Sequence, residues 1–183
     1  MSLMKPFENQ IIDYLKSNIR NIPDFPKPGI QFKDITPLLR DRQALELTAM
    51  LLSRPFQGKP VDVVAGLEAR GFLFGTNLAM NLNAGFVPIR KPNKLPAETA
   101  SVTYALEYGS DSLEVHNDAI SKGTKVVLHD DLIATGGSAK AATELIQRLG
   151  GEVIGYSFII ALKELDGIKN LPENIPVNIL INL

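Results

Sequence analysis

Cysteine is absent from the 183 residues, which excludes disulfides, thiolate nucleophiles and cysteine metal centres. No apolar run approaches the roughly 20 residues of a membrane span. Acids and amides from Glu8 to Asp13 interrupt the N-terminal stretch, where an export leader would need an apolar core. The formal net charge is −1, so nothing suggests a non-specific nucleic-acid binder. Neither GxxxxGK[ST] nor a GxGxxG after an apolar strand occurs, which removes the two commonest nucleotide loops. Repeats, low-complexity tracts and linkers are also missing. What remains is ordinary for one globular domain with a full core: 45% apolar and 21% charged residues.

The most informative stretch is VVLHDDLIATGGSAKAA, Val126 to Ala142. Lys125 to His129 is a β-branched apolar run of the kind found in a buried strand. Asp130 and Asp131 are expected where that strand ends. Ala134-Thr135-Gly136-Gly137-Ser138 then carries almost no bulk, and apolar residues recur at helical spacing until Gly150-Gly151. Glycines allow a tight turn and close approach, and the unpaired amides of a helix start attract an anion. Thr135 and Ser138 add hydroxyl donors. Two carboxylates beside a phosphate would repel it unless they face another part of the ligand. Sugar hydroxyls or a bridging Mg²⁺ would satisfy them. Phosphate at one end and vicinal hydroxyls at the other describe a ribose 5-phosphate. An isolated Asp-Asp pair would instead be read as solvated acids on a loop.

This stretch resembles the phosphoribosyl-diphosphate (PRPP) motif of type I phosphoribosyltransferases, and DDLIATGG in particular is similar to the adenine phosphoribosyltransferases. The resemblance runs through further motifs in order, from Ile22 to Leu162. IPDFPKPG, with three prolines in six residues, forbids helix and restricts the backbone. Read alone it is a loop with one buried phenylalanine; it also resembles the family's hood, over about residues 22–39, whose aromatic ring (here Phe25) stacks on the base. Gln31 and Lys33 occupy the positions where the base edge is read, largely by backbone groups. GLEARGFLFG follows a second buried-type strand, Val61 to Leu67, and resembles the diphosphate loop: Glu68, Ala69 and Arg70, with Arg70 also near the base. Open α/β sheets bind ligands at such strand ends.

Arg90, Lys91 and Lys94 put three cations in five residues after a third strand. They could form a solvated face; the resemblance assigns Lys91 and Lys94 to the diphosphate. Ala100 to Val115 reads as two short strands around an exposed tip. It resembles the family's flexible catalytic loop, over about residues 98–113, with Ala105 where a serine is usual. That implies a catalytic role for Glu107 and a diphosphate contact for Tyr108. Leu162 matches a position packing on the base opposite the hood; a core leucine is the plain alternative. His116 and His129 are lone histidines; His129 stands where the family more usually has an apolar residue and reads as structural.

Strands alternating with helices imply an α/β fold: a mostly parallel twisted sheet flanked by helices, the type I phosphoribosyltransferase fold, with a small N-terminal hood and residues 1–183 forming one domain. The resemblance implies adenine and PRPP as substrates, AMP and diphosphate as products, and purine salvage. It implies Mg²⁺ as cofactor, held by Asp130 and Asp131 directly or through water, and the same acids as ribose-orienting catalytic groups. Ala134 to Ser138 would take the 5-phosphate. It also implies a cytoplasmic homodimer, with no nucleic-acid or membrane partner. An oxo-purine phosphoribosyltransferase and a PRPP-sensing regulator are the alternatives, the latter lacking any visible basic stripe or DNA-binding helix pair.

Overall fold

The computed structural model describes residues 4–105 and 109–183. Its contacts divide the chain into two compact units, Met1–Leu51 and Leu52–Leu183.

In the first unit, helix α1 (Met4–Ser17) buries Leu15 and leaves Phe7 exposed. Strands β1 (Arg20–Pro23) and β2 (Gln31–Asp34) form an antiparallel hairpin, with Arg20 opposite Asp34. The sequence reading missed this hairpin, because prolines dominated the segment. They prove compatible with it: Pro23 ends β1, and Pro26 and Pro28 sit in the connection, where no ladder amide is needed. Asp24 closes that connection by accepting the Gly29 N–H at 2.8 Å. Helix α2 (Thr36–Arg40) starts where Asp34 accepts the Thr36 N–H at 2.9 Å. Helix α3 (Arg42–Ser53) is capped by Asp41, which accepts the Ala44 N–H at 2.8 Å and the Tyr14 hydroxyl at 2.7 Å.

The second unit is built on five parallel strands: β3 (Val63–Leu67), β4 (Gly85–Ile89), β7 (Lys125–Ile133), β8 (Glu152–Ala161) and β9 (Val177–Asn182). Their spatial order is β4-β3-β7-β8-β9, every neighbouring pair parallel. The chain therefore reverses its direction of progress between β3 and β7. At such a switch point the loops leaving adjacent strands part to opposite faces and open a crevice.

Helix α4 (Gly71–Asn81) follows β3, and helix α5 (Gly137–Arg148) follows β7. Alternation sorts the strands by face. Ala65, Leu67, Val126 and Leu128 join the core cluster with Ala142, Leu145 and Ile146 of α5. Gly66 and His129 turn the other way, toward Phe86 and Gly75 of α4. Strands β5 (Thr99–Ala105) and β6 (Ser110–His116) pair antiparallel, and their inward residues Val102, Leu113 and Val115 join the α5 side of the core. No helix among the described residues is long and apolar enough to cross a membrane.

Candidate active site

Strand β7 is longer than its apolar run suggested. Asp130 and Asp131 lie inside it, two residues short of its end at Ile133, rather than just past it. Being consecutive in a strand, they leave it toward opposite faces. Asp130 is on the α5 side and lines a cleft of about 100 Å³ with Thr135, Gly136, Gly137 and Ser138. Asp131, 2% exposed, faces Arg70, whose Nε lies 3.1 Å from its Oδ2. The ion pair is not an aligned hydrogen bond, so Oδ2 still has an unused acceptor. Burial pushes both carboxyls up, and for Asp130 the neighbouring charge of Asp131 pushes further in the same direction. Arg70 opposes this at Asp131, so of the two Asp131 holds its charge more readily.

The loop from Ala134 to Ser138 is shaped by a close backbone contact. Gly136 has φ +79° and precedes α5 as its N-cap residue. A Cβ there would stand 2.3 Å from the Gly167 carbonyl oxygen. A Cβ on Gly167 would in turn meet the Ala134 carbonyl oxygen at 2.2 Å. Only two glycines allow these backbones to lie this close. Asn170 completes the support by donating from Nδ2 to the Thr135 carbonyl at 2.8 Å. The Gly136 carbonyl accepts the first intrahelical bond, from Lys140 N–H. The amides of Gly137, Ser138 and Ala139 are thus the orphan donors of the helix start, and they border the cleft. Sequence spacing predicted the loop but not its backing, because Gly167 and Asn170 belong to a 3₁₀ turn with no ligand-like motif.

After β3 the Glu68–Ala69 peptide is cis and Arg70 precedes α4 as its N-cap residue. Glu68 is tied down: it accepts Arg90 Nε at 3.2 Å and the Lys91 N–H at 2.9 Å. Burial pushes its carboxyl up, but these two donors and the charge of Arg90 outweigh it and hold it below the usual range. Lys94 is exposed, and its carbonyl accepts Arg90 Nη1 at 3.0 Å. Lys91 donates to Asp111 and lies 3.4 Å from the Tyr104 hydroxyl. Tyr104 also donates to Asp111 at 3.2 Å and shares a hydrogen bond of 3.0 Å with Ser138 Oγ.

Tyr104 and Asp111 escaped the sequence reading. The available signal was alternation: Tyr104 shares a face with Val102, Asp111 with Leu113, and the register places them directly opposite each other. They are polar residues on the inward face of a hairpin. Glu107 and Tyr108 lie outside the described residues.

Leu162 follows β8, half-buried, and its N–H donates to the Ile133 carbonyl at 3.0 Å. It lines a separate cavity with Lys163 and Asp166 rather than the cleft of Asp130. In the N-terminal unit, Phe25 is 51% exposed and meets Phe32 edge-on, with ring centroids 5.1 Å apart. It is therefore not the buried core residue that the plain reading of the loop allowed. Asn21 binds both Gln31 Oε1 and Lys33 Nζ at 2.8 Å. His129 is structural, as expected: fully buried, with Nδ1 2.9 Å from the Ser157 carbonyl, and burial lowers its pKa from 6.5 to about 4.

A phosphate-sized, amide-lined cleft at the switch point of a parallel sheet agrees with the family pattern described as the phosphoribosyl transferase domain, which matches residues 39–169. Among curated relatives, the adenine phosphoribosyltransferase of Cyanothece sp. is 56% identical over 91% of this chain and 98% of its own. The crystal structure of adenine phosphoribosyltransferase from Rhodothermus marinus superposes with a TM-score of 0.93 at 50% identity, covering 96% of this chain and 99% of that one. The Saccharomyces cerevisiae adenine phosphoribosyltransferase, solved with an imino-altritol bisphosphate and adenine, gives a TM-score of 0.87 at 41% identity, covering 94% and 99%. The chain belongs to the adenine phosphoribosyltransferase family.

Proposed function

We propose that the protein transfers the 5-phosphoribosyl group of PRPP to adenine, giving AMP and diphosphate for purine salvage. The observation that carries this reading is the Gly136–Ala139 amide cradle with Asp130 on the same cleft wall. Relatives named for this reaction cover nearly the whole chain.

The 5-phosphate would sit on the amides of the α5 start and the hydroxyls of Thr135 and Ser138. Asp130 would face the ribose hydroxyls and offset the positive charge that develops on the sugar as the C1–oxygen bond to diphosphate breaks. Adenine N9 then bonds to C1 from the opposite face and gives up its proton. Glu68, Ala69, Arg70, Lys91, Lys94 and Tyr108 form the proposed diphosphate side. Phe25 is proposed as a stacking ring, half-exposed and steadied by Phe32. Gln31, Lys33, Arg70 and Leu162 are the further base contacts, and Glu107 the group that accepts the purine proton or holds the attacking tautomer. Holding base and sugar aligned is a large term, up to roughly 7–11 kcal/mol in well-oriented systems.

The described residues contain no group of three or more metal-type side chains. That suits Mg²⁺, which usually binds through one or two carboxylates plus substrate oxygens rather than in a protein cage. Asp130, on the cleft, and Asp131, with its unused acceptor, are the residues that would hold it, directly or through water. When bound, it would neutralise charge on the departing diphosphate. A homodimer working in the cytoplasm completes the proposal.

An assay of diphosphate release from PRPP with adenine, hypoxanthine, guanine and xanthine in turn tests this. Adenine should be strongly preferred, since a site built to accept from its 6-amino group leaves a 6-oxo group facing another acceptor. Comparable kcat/KM for adenine and hypoxanthine would instead support the oxo-purine reading, and no turnover with any base a PRPP-binding regulator.

A further inference from the structure

The sequence offers Lys91 as a free cation for an incoming diphosphate, yet its ammonium already has an anion. Asp111, on β6, is its ion-pair partner. The two side chains are 38% and 28% exposed, so a ligand can reach both. Burial disfavours both charges, but their mutual hydrogen bond outweighs it, lifting the Lys91 pKa and lowering that of Asp111. Asp111 is also fixed by its neighbours: Oδ1 accepts the Ser112 N–H at 2.8 Å, and Oδ2 accepts the Tyr104 hydroxyl at 3.2 Å. Tyr104 in turn reaches Ser138, on the phosphate cradle, at 3.0 Å. The result is a chain of contacts from the cradle to the lysine, ending in a carboxylate.

A carboxylate and a diphosphate oxygen are alike to an ammonium: both are anionic acceptors. They cannot share Lys91 without repelling each other, because a diphosphate brings several negative charges next to Asp111. We propose that Asp111 is an internal stand-in for the diphosphate: it holds Lys91 in place in the empty protein and yields it when diphosphate or the diphosphate end of PRPP arrives. This rests on the reading of Lys91 as a diphosphate contact. Its consequence is a weaker grip on diphosphate than the cations alone would give. Weak binding of a product group speeds its departure, and departure limits turnover in many enzymes. Asp111 is thus a positioning residue acting through Lys91. Tyr104 steadies the lysine as it changes partners, since its hydroxyl lies near Lys91 and Asp111 alike.

The test is titration of the full-length protein with inorganic diphosphate and Mg²⁺, followed by calorimetry, for wild type, Asp111→Asn, Lys91→Met and the double variant. Asparagine keeps the Oδ1 acceptor for the Ser112 N–H, so the hairpin keeps its shape; Asp111→Ser serves as a second neutral replacement. A part-exposed ion pair is worth up to about 1 kcal/mol, or about fivefold. Lifting the repulsion adds to this, so Asp111→Asn should bind diphosphate about 3- to 10-fold more tightly. Steady-state kinetics should show KM for PRPP falling while kcat does not rise. In the Lys91→Met background the same substitution should lose most of its effect. Unchanged or weaker diphosphate binding in both neutral variants, with Lys91→Met weakening it, would overturn the stand-in and leave the proposed function untouched. Diphosphate affinity unchanged by Lys91→Met would overturn the stand-in together with the role given to Lys91.

Discussion

The loops after β3 and β7 begin alike, each leaving a buried parallel strand for a helix at the same switch point. Their chemistry differs. After β3 the charged groups are answered within the protein: Glu68 by Arg90 and Arg70 by Asp131. After β7, Ala134 to Ser138 carry no charge, and the donors are backbone amides aimed at the cleft. One loop is a finished anion cradle, held by its own backbone. The other is a balanced set of ion pairs, which under the proposed function would have to change partners to take the diphosphate. Preformed donors act without reorganisation, whereas paired charges act only after an exchange.

The largest effect should come from spoiling the finished cradle. Gly136→Ala places a Cβ against the Gly167 carbonyl at a left-handed φ, costing about 1–2 kcal/mol for the backbone and about 1–3 for the clash. We expect kcat/KM for PRPP to fall about 10²- to 10³-fold in steady-state kinetics. A value near wild type would show that the cradle tolerates displacement.

Next comes the acid pair, whose members should separate. Asp130→Asn should lower kcat/KM about 10²-fold, roughly 2.7 kcal/mol. Its melting temperature should not fall, because the change removes a repulsion between carboxylates. Asp131→Asn should instead lose about 1–2 kcal/mol of stability in denaturant titration, since it removes the charge from one side of an ion pair whose carboxylate is nearly buried. Equal stability in the two variants would mean that the opposite orientations within β7 carry no energetic difference.

His129 sharpens the view of that strand from its α4 side. With a folded-state pKa of about 4 against 6.5 when unfolded, it binds fewer protons in the folded protein between those values. Its contribution is therefore complete above 6.5 and is lost as pH falls toward 4. Between pH 7 and pH 5 the loss is about 2 kcal/mol. The raised carboxyls of Asp130 and Asp131 act with the opposite sign, so the measurement is the difference between wild type and His129→Leu. In urea titrations, without substrate or divalent metal, wild type should lose that much more stability than the variant. Parallel pH profiles would place the imidazole in contact with water.

The smallest effect belongs to the balanced loop. Glu68→Gln keeps an acceptor for the Lys91 N–H and gives up only a part-exposed pair with Arg90. Such pairs are worth up to about 1 kcal/mol, so kcat/KM should change less than about fivefold. A loss as large as that of Asp130→Asn would show that the diphosphate side depends on the charge of Glu68 itself rather than on the backbone it holds in place.

The parallel core and the cradle were legible because both follow from local rules. Apolar β-branched runs gave β3 and β7, and the small-residue turn before helical spacing gave the start of α5. The end of β7 was not legible. Two adjacent aspartates look like the polar end of a strand, and only tertiary partners, Arg70 for one and the cleft for the other, let the strand continue through them. The β1–β2 hairpin was obscured because prolines suppress strand signals even where they fall at a strand end or in a turn. Tyr104 and Asp111 needed the hairpin register, and Gly167 needed a contact across about thirty residues of chain, neither of which a local pattern encodes.

The seat of Gly136 on Gly167 also orders events during synthesis. Strand β7, its acids and the glycine turn emerge from the ribosome well before the 3₁₀ turn of Gly167–Asn170 that backs them. A nascent chain, or one clipped after β8, carries every side chain assigned to the 5-phosphate and still lacks the wall that shapes their backbone. The capacity to hold a sugar phosphate would thus arrive late in the life of the polypeptide, delivered by a segment that lies behind the cradle.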